Sequence, residues 1–312
     1  MQNWPNFHIT ERKYAAQSVQ LYLEKTSMQI SRTLLFLAAI CSVFAPLARA
    51  QETASSLQQL MKDVAYNELQ DRESDSFWTY QIQQKIGSQS FVKHQVETKD
   101  GPIFRVLEQG GKPLTDEAER KEESRLNNLL NNPGALSKNR EDHLQDEERL
   151  QRMVKLMPDA FLFEADGAPS GDLLTINFKP NPDFKPPTYE ARVFHGMAGT
   201  IVVNQRLKRF VAMQGQVISR VDFGYGLLGY VEKGGEFQIH RRQVSLTRWK
   251  TDLVDVHVAG RVILFKSVSK DHHEARSQFK PVPTSISLEE AKQLLEQAVT
   301  QNEASLHAAL KF

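Results

Sequence analysis

The sequence predicts an α+β fold built on a curved antiparallel β-sheet, a half-barrel-like meander with helices packed on one face and a helical-hairpin insertion. Three observations carry this prediction. Apolar and polar side chains alternate over much of 199–279, which is the period of strands with one buried face. Short links with Gly or Asn separate the alternating segments, so neighbouring strands are expected to pair antiparallel. Stretches with helical spacing precede and follow this region.

The alternation is clear in the segment that holds Met213 and Val217. Between these apolar residues lie Gln214 and Gln216, so the two faces of this predicted strand differ in polarity. The same pattern recurs in two later segments, 236–240 and 254–258. A sheet with one apolar face is therefore the expected core of the protein.

Helices are predicted at both ends of this core and in one insertion. An apolar stripe predicts a first helix over roughly 56–73, and the capping box from Ser287 to Glu290 begins the last helix. The charged region 114–157 is expected to be a helical hairpin that begins at Thr115. Ser137 is expected to start the second helix of that hairpin.

The hairpin has many charges and few apolar positions. We therefore expect it to lie on the outside and to contribute little to the core. The alternative is a functional one, in which the hairpin is a lid or a partner surface, because insertions carry function more often than core elements do.

Composition excludes one class of partner. The 312 residues carry 39 Lys and Arg against 38 Asp and Glu, and no basic stripe is present that would indicate nucleic-acid binding. Hydrophobic residues make up 40% of the chain, which is enough for a sizeable core. Residues 51–312 are expected to form a single domain.

Residues 28–50 have the features of a cleavable secretory signal. A positively charged start and a short apolar run lead to Ala48 and Ala50, which have the spacing of a cleavage site. The apolar run is too short to span a membrane, which takes about 20 residues. The sequence therefore predicts export to the periplasm, with Gln51 first in a mature chain that has no transmembrane segment.

Residues 1–27 precede this signal and are expected to be a non-native upstream extension, because Met28 stands where a signal peptide should begin. A long charged region at the start of the signal is the alternative. The single cysteine, Cys41, lies within the signal. The mature chain is therefore expected to hold no disulfide and to perform no thiol chemistry.

Two short motifs match known cofactor-binding patterns, but neither predicts a cofactor site here. Residues 224–229 match G-x-G-x-x-G, but a dinucleotide site needs a helix directly afterwards, and another strand is expected there. Asp222-Phe223-Gly224 spells a kinase metal-binding triplet without the other kinase motifs. No cofactor is predicted.

The strongest metal candidate is Asp271-His272-His273-Glu274. Adjacent side chains of a strand point to opposite faces, so the two histidines cannot reach one ion without a bend. Asp255 and His257, two residues apart, could join from another strand. The alternative is a polar strand end that faces solvent, and on this basis neither a metal site nor a catalytic residue is predicted.

The candidate ligand-binding residues are large apolar side chains in and after a glycine-rich bend. They are Phe223, Tyr225, Leu227, Leu228 and Tyr230, together with Trp249 later in the chain. We expect them to form an apolar rim at the mouth of a cavity. A buried β-bend, in which the glycines let the chain turn, is the structural alternative.

Several segments resemble exported relatives of the outer-membrane lipoprotein-sorting proteins. They are the run from Val221 to Gly229, Trp249, Gly260-Arg261-x-x-Leu264-Phe265-Lys266 and Phe279-x-Pro281-Val282-Pro283. This resemblance covers about 51–295 and implies an open half-barrel sheet, covered by helices, whose apolar cavity takes acyl chains. The helical insertion at 114–157 departs from that pattern.

Three functions follow as hypotheses. The first is a non-enzymatic periplasmic protein that binds an apolar ligand, either a lipid or an acylated protein. The second is a periplasmic sensor or interaction module that binds an envelope protein partner. The third and weakest is a metal-dependent hydrolase that uses the region of His272 and His273.

The exported protein is expected to begin at Gln51, because signal peptidases cleave after small residues at the spacing of Ala48 and Ala50. N-terminal sequencing of the protein isolated from the periplasm checks this. A membrane-bound chain that still carries 34–47 would contradict it.

Overall fold

The computed structural model describes residues 55–71, 77–223, 229–262 and 271–309. The first helix, α1, covers 55–71, and the others are α2 (Asp116–Asn131), α3 (Pro133–Ala160), a 3₁₀ helix (Glu190–Gly196) and α4 (Leu288–Ala309). Strands β1 to β7 are Phe77–Ile86, Gln89–Val96, Ile103–Gln109, Lys112–Pro113, Phe161–Ala165, Leu173–Pro180 and Met197–Asn204. Strands β8 to β14 are Arg209–Val217, Val221–Phe223, Gly229–Val231, Glu236–Gln243, Trp249–His257, Gly260–Val262 and Asp271–Val282.

Eleven strands form one open antiparallel sheet in the order β4-β3-β2-β1-β14-β12-β11-β8-β7-β6-β5. Strands β13, β10 and β9 form a second, small sheet. The predicted α+β class is confirmed. No helix within the described ranges is both long enough and apolar enough to cross a membrane.

One face of the large sheet, here the α1 face, carries the largest apolar cluster. Met61 and Val64 of α1 are buried there against Ile176 of β6 and Ile201 of β7. Ile176 and Ile201 belong to a row of paired side chains that crosses the sheet on this face. The members of the row, in strand order, are Ala165, Ile176, Ile201, Met213, Ile239, Val254, Glu274 and Gln84. The row is apolar under α1 and becomes polar at β14 and β1.

The opposite face, here the α4 face, has a second cluster at the other end of the sheet. Val96 and Ile103, which pair across β2 and β3, are buried there against Leu295 of α4 and Leu126 of α2. Val96 pairs with Thr79 of β1, whereas the row under α1 ends at Gln84 of the same strand. Odd-numbered and even-numbered side chains of β1 point to opposite faces, so Val96 and Ile103 lie on the face opposite α1. The helices are therefore shared between both faces, and do not all lie on the one face that the sequence analysis expects.

The hairpin of α2 and α3 confirms the predicted start at Thr115, whose side chain accepts a hydrogen bond from the backbone of Ala118. The predicted second start at Ser137 is wrong. Helix α3 begins four residues earlier because the side chain of Asn132 accepts hydrogen bonds from the backbone N–H groups of the second and third helical residues.

The expectation that this hairpin contributes little to the core is also wrong. Leu126 is 1% exposed, and the carboxylate of Glu122 accepts a hydrogen bond from the backbone N–H of Val106 at 2.8 Å. Arg105 of β3 forms an ion pair with Glu119. Few apolar residues are needed for this role because α2 presents only one narrow stripe to the sheet.

Buried charges join α1 to the middle of the sheet. Glu68 and Asp71, in the last turn of the described helix, are each less than 10% exposed. Arg241 of β11 forms ion pairs with both, while Arg209 and Arg248 lie 3.4 and 3.3 Å from the carboxylate of Asp71. The three arginines neutralise carboxylates that the negative end of a helix dipole would otherwise disfavour.

Replacing Leu126 with Ala should lower the free energy of unfolding by about 2–4 kcal/mol, because a fully buried leucine leaves a cavity. The matched control is Leu144→Ala in α3, where the side chain is 52% exposed and the expected change is below about 0.5 kcal/mol. Urea denaturation of both variants makes the comparison. Equal small changes would mean that α2 is an appendage.

Candidate functional site

The residues predicted to form an apolar rim do not come together at one site in the part of the chain that the structure describes. Phe223 is fully buried in the small sheet, in a cluster with Val217 of β8 and Val231 of β10. Tyr230 is half-buried, with the guanidinium of Arg220 4.1 Å from its ring centre.

Trp249 is half-buried at the start of β12, in the large sheet. Tyr225, Leu227 and Leu228 lie outside the described residues. The role of the segment from Phe223 to Tyr230 therefore stays a prediction.

An apolar patch lies at the centre of the α1 face. It consists of Phe237 and Ile239 on β11 and their cross-strand partners Val256 and Val254 on β12. All four side chains are half-buried, although the neighbouring strands beneath α1 hold side chains that are completely buried. Only Phe237 of the four packs against the α1 cluster. We call these four residues the central patch.

A polar cluster borders the central patch on the next strands. Glu274 of β14 pairs with Val254, and its carboxylate accepts hydrogen bonds from Arg276 at 2.6 Å and from Gln84 at 2.9 Å. Lys93 of β2 donates to the side-chain oxygen of Gln84 at 2.7 Å. The α1 face therefore changes from apolar to charged within one strand.

His272 belongs to the same polar cluster. Its side chain is 7% exposed, and Nε2 lies 3.5 Å from the carboxylate of Glu274. Its other ring nitrogen is buried and has no hydrogen-bond partner among the described residues. Burial by itself raises the pKa of Glu274, but the neighbouring His272 and Arg276 reverse that effect and lower the pKa to about 2. Glu274 is therefore ionised at neutral pH.

The two adjacent histidines do point to opposite faces, as the sequence predicts. His273 lies on the α4 face, where its Nδ1 is 3.3 Å from the carboxylate of Asp255. His257 approaches the same carboxylate oxygen at 3.2 Å through Nε2, and Asp271 lies 3.4 Å from its Nδ1. No three acidic, histidine or cysteine side chains in the described ranges are arranged to hold a metal ion.

A groove with a volume of about 510 Å³ crosses β7, β8, β11 and β12 on the α4 face. Its polar lining consists of Thr200, Gln214, Gln216, Glu236, Gln238, Asp255 and His257. Gly199 and Gly215 pair across β7 and β8 in its floor, where a Cβ on either would collide with the backbone of the other strand. Small residues are thus required for the two strands to approach this closely.

This groove is not evident from the sequence, although the alternation that produces it is. Gln214, Gln216 and Gln238 already stand at the polar positions of predicted strands. The missing information was the register, because only the pairing of β8 with β11 and of β11 with β12 brings these side chains and Asp255 side by side.

Comparison with known proteins finds no matching family model, no matching curated protein and no matching solved structure. The features of the described residues that bear on function are the central patch, the polar cluster beside it and the groove on the opposite face.

Replacing Glu274 with Gln should destabilise the protein by up to about 3 kcal/mol at pH 7, since His272 and Arg276 lose a buried anionic partner. The pKa of Glu274 is about 2 in the folded protein, below the ordinary value of 4.5. The ionised carboxylate therefore stabilises the folded state fully above pH 4.5. That stabilisation disappears as the pH falls from 4.5 to 2, because the unfolded chain takes up the proton first. The variant should lose this part of the pH dependence.

Chemical denaturation between pH 3 and pH 7 measures the effect. Glu236→Gln is the matched control, because Glu236 is exposed on the α4 face and its substitution should change stability little. A pH dependence that is the same in the Glu274 variant and the unmodified protein would contradict the assignment.

Proposed function

We propose that this chain is an exported, non-enzymatic periplasmic protein that binds an apolar ligand, a lipid or an acylated protein. The observation that carries the proposal is the central patch. Four large apolar side chains remain half-buried on β11 and β12, whereas the apolar row on β8, β7 and β6 packs against α1. A patch of apolar surface that stays accessible is typical of interaction sites and ligand-binding grooves.

The polar cluster beside the patch indicates which kind of apolar ligand fits. An amphiphile could lay its acyl chain across Ile239, Val254 and Val256 and direct its head group towards His272 and Arg276. Burial of about four to six methylene groups would stabilise such a complex by about 3–5 kcal/mol before the cost of ordering. The ring nitrogen Nδ1 of His272 has no hydrogen-bond partner among the described residues, and a head group that reached it would supply one.

A binding role also agrees better than hydrolysis with the positions of the histidines. His272 and His273 are on opposite faces of the sheet, so a single substrate could not contact both. The resemblance to lipoprotein-sorting proteins supports the same proposal, since it implies an open antiparallel sheet that carries acyl chains. Binding of an envelope protein remains the alternative if no lipid is taken up.

Replacing both Val254 and Val256 with Thr tests the central patch. Threonine has nearly the shape of valine and keeps the strand, but its hydroxyl is unfavourable beside an acyl chain. We expect the affinity for a fluorescent fatty acid to fall about tenfold or more, which corresponds to about 1.4 kcal/mol. Fluorescence titration of the purified protein measures it.

The matched control is the pair Val92→Thr and Val202→Thr, which makes the same change at half-buried positions of the α4 face. This control should bind the probe as the unmodified protein does. Equal affinity in both double variants, or no uptake of the probe by the unmodified protein, would refute the proposed site.

A further inference from the structure

The groove on the α4 face is a second site, separate from the central patch. The two sites use the same strands but opposite side chains, since Gln238 and Asp255 alternate with Ile239 and Val254. A volume of about 510 Å³ lies within the range of small-molecule sites. Helix α4 leaves this part of the face uncovered because it packs on β2 and β3 at the other end of the sheet.

The polar groups of the groove are arranged in two parallel rows. Thr200, Gln214, Gln238 and Asp255 form one row across four strands, and Gln216, Glu236 and His257 form the second. Neighbours in a row are about 4.8 Å apart, and the rows are separated by about 7 Å along the strands. This is a ladder of hydrogen-bonding groups that an elongated ligand can follow.

The glutamine amides in the ladder are available. Within the described part of the chain, the side chains of Gln214, Gln216 and Gln238 have no hydrogen bond to a protein group, although backbone hydrogen bonds hold their strands in place. Other glutamines of the same sheet do use theirs: Gln84 bonds to Glu274 and Gln95 to Tyr80. Three unused amides in one groove offer both donors and acceptors to a ligand.

The charges of the groove indicate which ligand fits. Its lining includes Glu236 and Asp255 but no Lys or Arg, so a phosphate or a carboxylate would meet no complementary charge. The described carboxylates and histidines are not arranged for a metal ion. Hydroxyl groups, in contrast, both donate to carboxylates and exchange hydrogen bonds with amides.

We propose that this groove binds a neutral oligosaccharide, lying across the strands with its hydroxyl groups on the two polar rows. Ile218 lines the same groove and supplies apolar contact for the C–H face of a sugar ring, while the side chain of Phe237 packs on the α1 face. The small side chain of Ala198, which lies in the groove, lets the rings approach the backbone. The site uses side chains other than those of the central patch on the α1 face.

Calorimetric titration of the purified protein with chitohexaose, cellohexaose and maltohexaose tests the proposal. We expect at least one of these neutral sugars to bind, with a dissociation constant below about 1 mM, as direct hydrogen bonds to several fixed groups allow. The double variant Gln214→Leu and Gln238→Leu keeps the side-chain size but removes two amides. It should bind that sugar at least about tenfold more weakly.

Two control variants fix the location. Gln83→Leu makes the same change at an exposed position of the α4 face outside the groove and should bind as the unmodified protein does. The Val254→Thr and Val256→Thr variant, altered on the α1 face, should also bind the sugar normally. If the glutamine variant does not fold, Thr200→Val removes one hydroxyl from the same row and should weaken binding.

Three results would overturn the proposal. They are no heat of binding with any of the three sugars at millimolar concentration, equal affinity in the unmodified protein and the groove variants, and binding of spermidine at the groove with no sugar bound. The last result would assign the groove to a cation. Because fatty-acid uptake is measured separately, failure of either site is recognised without reference to the other.

Discussion

The structure depends on the register of its eleven strands. Each strand alternates between an apolar and a polar set of side chains, and a shift of one residue would exchange the two sets. The pairs Met213–Ile239 and Gln214–Gln238 show what the register achieves, since the first continues the apolar row and the second continues the polar one. Both candidate sites depend on this register, which keeps the apolar and the polar side chains on separate faces across β7, β8, β11, β12 and β14.

Buried charges complement the register at the contact between α1 and the sheet. Removing Glu68 and Asp71 from water is costly, and their arginine partners compensate that cost only when the geometry is right. Such pairs add little net stability but favour one position of the helix over others. Arg209 and Arg241 come from neighbouring strands, so α1 can satisfy both only in one orientation.

Local features were predictable from the sequence because they depend on nearby residues. The capping box is an example: Ser287 and Glu290 exchange hydrogen bonds at the start of α4 as expected. The same holds for the cap at Thr115 and for the strand predicted over 236–240. A cap or an alternation is complete within a few residues, so its signal lies entirely in the local sequence.

The remaining features depend on pairing between distant segments. Strand β1 lies beside β14, about 190 residues later, and β14 pairs in turn with β12. This order places His273 against Asp255 and Glu274 against Gln84, yet no local pattern encodes either contact. The role of α2 could not be predicted for the same reason. The burial of Leu126 depends on contacts with α4 and β3, which are distant in sequence, and nothing in the local sequence distinguishes it from the other leucines of α2.

The sharing of helices between both faces has a mechanical consequence. A helical layer packs on each end of the sheet, on opposite faces, while β11 and β12 carry one proposed binding site on either side of a single layer of backbone. Ile239 and Gln238 are consecutive residues, so a molecule that restrains one also restrains the other. Two occupants could thus sense each other through backbone fluctuations alone, and by reciprocity each would alter the affinity of the other by the same factor.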